Sequence, residues 1–446
     1  MKKFREPYIK MFVIGAIINI VILLIAGMYL YNTFAVFSEE KHFNVINGEV
    51  TDPGDIYFAY YVDGEITRSM PKQNTGYKLD TDKSNCTNGV KVNWNYAVWH
   101  ADIDYSGYNA TYYTRVRCNL YFVKEVTIST ALGDLTINSY PPDFTKSACD
   151  DSTCESHEKG IYETQDDDGT SYYYRGSVEN NYVKFAGYYW RIIRINGNGS
   201  IRMIYDGTVA HDNGESSTDR EYGTSQFNGS HSDNMYVGYM YTSGNAHGFE
   251  TSSIIKTSND NFYAIKLSSY SNYLDINAGF CGDRSTLNNQ SGVGTGTVPT
   301  YYKGYLRVST STPSLKCENS NDYYTVSTAS SGNKALTYPI GLITADELLL
   351  SGSSGGIFDG LYNYQKASPN AYLTIGQYFW TITPTGYYNP FGDTYCYSNI
   401  IGVYASGSFD DNNIRSNFGL RPVINLKNTL KFMGDGTKNN PYVPSL

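Results

Sequence analysis

Cys149, Cys154 and His157 are spaced C-x4-C-x2-H, and their sulfur and imidazole groups are zinc-ligand types if a fourth group comes from elsewhere. A disulfide between the two cysteines suits an exported chain better, because no second ligand pair stands nearby. Gly352-Ser353-Ser354-Gly355-Gly356 satisfies G-x-S-x-G. A serine nucleophile in that motif needs a strand before it and a helix after it. Here a helical pattern comes first, so the stretch reads as a low-complexity loop. Two runs, Asp166-Asp167-Asp168-Gly169 and Asp410-Asp411-Asn412-Asn413, gather hard oxygen ligands that could bind calcium, but neither has EF-hand spacing and solvated turns account for both. The histidines are scattered without an H-E-x-x-H site, and no phosphate-cradling glycine loop is present. No catalytic residue and no metal ligand is assigned, and calcium is the one cofactor left open.

Binding chemistry is better represented. Between Trp380 and Gly419 the chain offers Tyr387, Tyr388, Asn389, Phe391, Tyr395, Tyr397, Tyr404, Asp410, Asp411, Asn412, Asn413 and Arg415 among small residues. Tyrosine supplies amphipathic contact area at low entropic cost, and Asn, Ser and Gly adapt their hydrogen bonds, a mixture also found in antibody paratopes. The alternative role for any one tyrosine is packing inside a loop-rich core.

The elements that must position these residues read as strands first. With 45 Tyr, 42 Gly and only 17% charged residues, the composition favours strands and turns over long helices. In GDIYFAYYVDGEI, Asp63-Gly64 supplies hairpin chemistry. VKVNWNYAVWHADI and RVRCNLYFVKEVTI add strands, and residues 50–130 are expected to form a small Ig-like β-sandwich spacer stapled by Cys86–Cys118. Residues 131–170, with Pro141-Pro142 and the acidic run, read as a linker. Residues 171–446 are expected to form the large domain. It opens with NYVKFAGYYWRIIRINGNGSIRMIYDG as a three-stranded meander turning at Ala186-Gly187 and at Asn196-Gly197-Asn198-Gly199. Helices are expected over Ser252–Leu274 and in GLITADELLLSG, where Thr344 can cap and Gly352 can terminate. A Cys281–Cys317 bridge would tie down a Gly/Thr-rich connection, which leaves Cys396 over. These elements together give an α+β fold.

At the N-terminus, MFVIGAIINIVILLIAGMYL runs without charge from Met11 to Leu30, roughly 30 Å as a helix, behind Lys2, Lys3, Arg5 and Lys10. The positive-inside bias predicts a single-pass anchor within residues 1–38, with the C-terminal ectodomain extracellular, and a cleaved signal peptide is the alternative. A net charge of −9 and a pI near 5.2 argue against a nucleic-acid partner.

The runs YVKFAGYYWRIIRI, AGFCGDRS, ALTYPIGLITADE, YFWTITP and GLRPVINL, in that order, resemble bacterial extracellular domains with a C-type-lectin-like fold, related in architecture to formylglycine-generating enzymes. The resemblance covers roughly residues 165–446. It implies that Trp190 and Trp380 sit in the core and that Arg421-Pro422 close the variable loops. Neither the sugar-binding calcium motifs of such lectins nor the reactive cysteine pair of those enzymes is present, so neither activity carries over. The expected function is a membrane-anchored binding protein or adhesin presenting a loop-rich surface to an extracellular protein or glycan. The alternatives are a cell-envelope enzyme with an unrecognised site and a self-assembling surface protein.

Overall fold

The computed structural model describes residues 56–108, 115–127, 137–138, 140–144, 159–288, 292–353, 371–389 and 396–445. It divides into two compact units, one ending at Glu125 and the other beginning at Val126.

In the first unit, β1 (Ile56–Val62) turns into β2 (Glu65–Thr67) through Asp63 and Gly64, both at positive φ (51° and 87°). That is the geometry of a two-residue hairpin whose twist matches its strands. The central strand is β7 (Val116–Lys124), which runs parallel to β1 and antiparallel to β3 (Tyr77–Leu79) and β4 (Asn85–Cys86). Its side chains alternate, so Val116, Cys118, Leu120 and Phe122 are buried on one face. Cys86 pairs with Cys118 across β4 and β7 and is disulfide-bonded to it. A separate hairpin, β5 (Lys91–Asn95) with β6 (His100–Asp104), brings Trp94 edge-on to Phe122.

The second unit contains two larger sheets. In the first, β10 (Tyr182–Phe185), β11 (Tyr188–Ile195) and β12 (Ile201–Gly207) form an antiparallel meander, with Ala186 and Gly187 at positive φ in the first turn. Beside them lie β8 (Gly160–Asp166), β9 (Gly169–Arg175) and, on the far side of β12, β23 (Val423–Leu426). The second sheet orders β13 (Thr224–Ser225), β22 (Phe418–Gly419), β19 (Phe379–Tyr388), β20 (Tyr397–Val403) and β21 (Phe409–Asn413), with β17 (Thr300–Tyr301) on β19. Short ladders join β14 (Met240–Tyr241) to β15 (Thr251–Ser252), β16 (Phe280–Cys281) to β18 (Tyr323–Tyr324), and β24 (Phe432–Met433) to β25 (Val443–Pro444). One apolar core runs through the unit and includes fully buried Trp190 and Trp380. Cys281 and Cys317 are disulfide-bonded, whereas Cys149 and Cys154 lie outside the described residues.

Two expectations about fold and location are corrected. The described chain is mostly sheet rather than α+β, because its α-helices are short: α1 (Ile254–Phe262), α2 (Lys303–Ser309) and α3 (Ala345–Ser351). The helix expected over Ser252–Leu274 breaks up after Phe262 into a π turn and then a 3₁₀ stretch, in a sequence rich in serine, asparagine and tyrosine that weakly favours a continuous α-helix. A fold built on a membrane-spanning helix, and the single-pass location that went with it, is likewise not carried. Among the described residues no helix is long and apolar enough to cross a membrane. The longest α-helix among the described residues has nine residues, about 14 Å against the roughly 30 Å of a bilayer core. The run from Met11 to Leu30 lies outside the described residues.

Candidate functional site

Helix α3 fixes a buried charged cluster. Thr344 accepts from the Glu347 backbone and Glu347 accepts from the Thr344 backbone, a capping box, while Gly352 at φ 99° ends the helix. The Glu347 carboxylate also receives Arg194 Nε at 2.9 Å and Arg202 Nη2 at 3.3 Å. Arg194 donates Nη1 to Asp166 at 2.8 Å. Burial alone would push the Glu347 carboxyl up, but the two guanidiniums hold it below its ordinary range. Next to it, Arg307 of α2 joins Asp346 and Asp283.

Carboxylates from distant positions therefore converge here, as an acid–base enzyme would require. Their occupancy argues against such chemistry. Asp166, Asp283, Asp346 and Glu347 are each held by an arginine, and the cavity they line is about 30 Å³, room for roughly two waters. Among the described residues no group of three His, Cys, Asp or Glu side chains is arranged to hold a metal ion.

The expected recognition residues divide between different environments. Tyr387 and Tyr388 are buried anchors at the end of β19. Tyr387 Oη donates to the Ser232 carbonyl at 3.1 Å, and Tyr388 Oη donates to Asp411 Oδ2 at 2.6 Å while its ring stacks on Tyr301. Burial and the Asp411 charge push the Tyr388 phenol far above its ordinary range. Tyr397 is half-buried with its ring 4.8 Å from His231, whose Nδ1 lies within 3.2 Å of the Asn413 amide. Asn389 is half-buried, Arg415 is exposed, and Phe391 and Tyr395 lie outside the described residues.

Strand β21 is the edge of its sheet, and its own side chains occupy its backbone. The Asp410 carboxylate accepts from the Asp411 N–H at 2.8 Å, and Asn412 Nδ2 donates to the Asp410 carbonyl at 3.0 Å. Alternation along β21 then sends Asp411 to the Tyr388–Tyr301 side and Asn412 to the opposite one.

On that opposite side Tyr404 Oη donates to Asn412 Oδ1 at 3.2 Å, and the Tyr404 ring joins Tyr378 and Phe418. Tyr378 is 46% exposed, with its ring centroid 5.3 Å from both of the others. Phe418 stacks at 4.6 Å on buried Trp380. Gly402 makes the close approach possible, since a Cβ there would lie 2.5 Å from the Phe418 ring and 2.9 Å from the Asn412 amide nitrogen. Glu221 sits at the Gly419 backbone beside this group, and partial burial pushes its carboxyl up.

Sequence reasoning missed Tyr378 and Phe418. Tyr378 was absorbed into a strand pattern, and Phe418 lies just before a closing segment read as structural. The available signal was an aromatic residue immediately before each member of the paired residues Phe379 and Gly419, which join β19 to β22. No protein-family model matches the chain, and neither does any curated protein or solved structure.

Proposed function

We propose that this chain is a binding protein whose second unit recognises a protein or glycan through the ledge formed by Tyr378, Tyr404 and Phe418, with Asn412 at its side. The observation that carries the reading is Tyr378: nearly half its surface is exposed, yet its ring packs against two aromatic neighbours anchored on Trp380. An exposed aromatic held in place before contact pays little ordering entropy when a ligand covers it. Asn412 adds a polar group beside the rings for directional contacts.

A C-type-lectin-like architecture for residues 171–446 belongs to this proposal, supported by the ordered sequence runs that resemble that family. The two disulfides among the described residues favour folding in an oxidising compartment. Catalysis is the weaker reading because arginines occupy the buried carboxylates.

The test is binding of the purified chain to glycan arrays and to immobilised cell-surface proteins, alongside Tyr378→Ser and Tyr404→Ser. Loss of an anchoring aromatic is expected to weaken binding about thirtyfold, with unfolding temperature little changed for the exposed Tyr378. Binding that both variants retain in full would overturn the assignment.

A further inference from the structure

The loop that follows β12 holds a histidine between two acids. His211 is buried, with Nδ1 2.8 Å from Glu215 Oε1 and Nε2 2.9 Å from Asp219 Oδ2. Both carboxylates are fixed in that pose. Asp219 also receives the Thr208 N–H and hydroxyl, each at 2.8 Å, and Glu215 receives the Asp212 N–H at 2.8 Å. Hydrogen bonds of this kind, with His211, hold both acids below their ordinary range despite the burial that opposes it, which is the larger influence on Asp219. Gly207 closes the space from below, since a Cβ there would strike the Asp219 carboxylate and stand 3.0 Å from His211 Nε2.

Neutral imidazole carries a single N–H, so only the imidazolium can donate to both acids. With the proton gone, one ring nitrogen presents a lone pair to an ionised carboxylate, and that contact becomes repulsive.

The loop bears directly on the chain that leads into Tyr378. Ser217 N donates to the Ile375 carbonyl at 3.3 Å, Ser216 Oγ to the Gly376 carbonyl at 3.3 Å, and Gln377 Nε2 to Ser216 Oγ at 3.4 Å. Arg220, at the end of the loop, donates to the Tyr372 carbonyl at 3.1 Å and to the Glu215 carbonyl at 2.9 Å. Gly376 lies so close to Ser216 that it has no room for a side chain.

We propose that His211 is a proton-operated latch: charged, it ties the loop onto Tyr372–Gln377 and steadies Tyr378, and uncharged, it lets that segment loosen. For its effect on binding, this rests on the reading of Tyr378 as a recognition residue; the latch itself can be observed without any ligand. The charged and titratable groups around the site are Asp212, Glu215, Asp219 and Arg220 on the loop, Tyr205 and Asp206 on β12, Tyr182 on β10, Arg191 on β11, and Lys438, which pairs with Asp212. Tyr182 Oη donates to the His211 carbonyl at 2.8 Å and fixes its backbone.

The experiment uses the full chain, following the His211 imidazole by NMR and amide hydrogen exchange at residues 372–378 from about pH 5.5 to about pH 9, the span in which imidazoles titrate. Exchange is corrected for its intrinsic pH dependence. Protection of residues 372–378 is expected to fall at least about tenfold with the same midpoint as the imidazole's loss of its proton. Glu215→Gln, a change at a side chain 42% exposed, is expected to move both midpoints together to lower pH, and His211→Gln to abolish the pH dependence. Protection that stays constant while His211 titrates overturns the latch, as does an unchanged pH dependence in His211→Gln. Either result leaves the binding assignment of Tyr378 standing, whereas binding retained in full by Tyr378→Ser and Tyr404→Ser with an intact latch removes only that assignment.

Discussion

Arg307 grips Asp346 with two parallel hydrogen bonds, Nε at 2.8 Å and Nη2 at 3.0 Å, and spends its third nitrogen, Nη1, on Asp283 at 2.8 Å. This fork joins α2 to the first turn of α3, and both of its carboxylates are buried. Arginine suits the position because its planar guanidinium meets a carboxylate at two points, which lysine cannot do.

Removing that fork should be costly. Arg307→Met leaves Asp346 and Asp283 buried without a counter-charge, and the expected loss is about 3–5 kcal/mol in urea unfolding. A loss below about 1 kcal/mol would mean that water reaches the two acids and that the cluster is not a structural lock.

The Cys281–Cys317 bridge closes a connection with a sequence separation of 36 residues. Replacing both cysteines with serine is expected to lower stability by about 2–4 kcal/mol through the freedom returned to the unfolded chain. Comparing the unfolding of the double variant with that of the oxidised and reduced parent measures it, and an unchanged midpoint would contradict the expectation.

Asp410 gives the pH dependence a definite sign. Burial, and then the Asp411 charge, raise its carboxyl from 3.8 to about 7. Between those values the folded chain keeps a proton that the unfolded chain has released, so stability falls as pH rises across this window and levels off above it. Asp410→Asn should remove that slope and be more stable than the parent at about pH 8, as read from urea midpoints at about pH 5 and pH 8. Glu215 and Asp219 act in the opposite sense at the acid end, because their lowered carboxyls contribute stability that is lost only as pH falls through the folded values.

Local chemistry made several elements legible. Asp63-Gly64 marks a hairpin because positive φ is needed at both positions, and Thr344, Glu347 and Gly352 announce the start and end of α3. Ala186-Gly187 likewise places the first turn of the meander. The buried arginines were not legible. Arg194 and Arg202 lie in strands whose two faces are both covered, and a charged residue in such a run looks like a solvent-facing position until its acid arrives from more than a hundred residues away, as Glu347 does. The residues proposed for recognition were legible only as a group. Composition marked the region after Trp380 as rich in tyrosine and asparagine. Which tyrosine is exposed depends on β-bulges and pairing in β19 and β20, and these put Tyr387 and Tyr388 inside while Tyr378, at the strand's entry, stays out.

The ledge makes its own demand on Gly402. Gly402→Ala would push a methyl group into the Phe418 ring and the Asn412 amide, and is expected to weaken ligand binding and lower stability by about 1–3 kcal/mol together. Thermal unfolding measured beside binding checks whether the two losses coincide; full binding in the variant would show that Phe418 does not need its present position.

Equilibrium binding of the purified chain to its strongest partner from the glycan and surface-protein panels, compared with Tyr378→Ser, tests the central claim most directly. The ledge predicts affinity about thirtyfold weaker in the variant at an unchanged unfolding temperature. Equal affinity in the two proteins would contradict it.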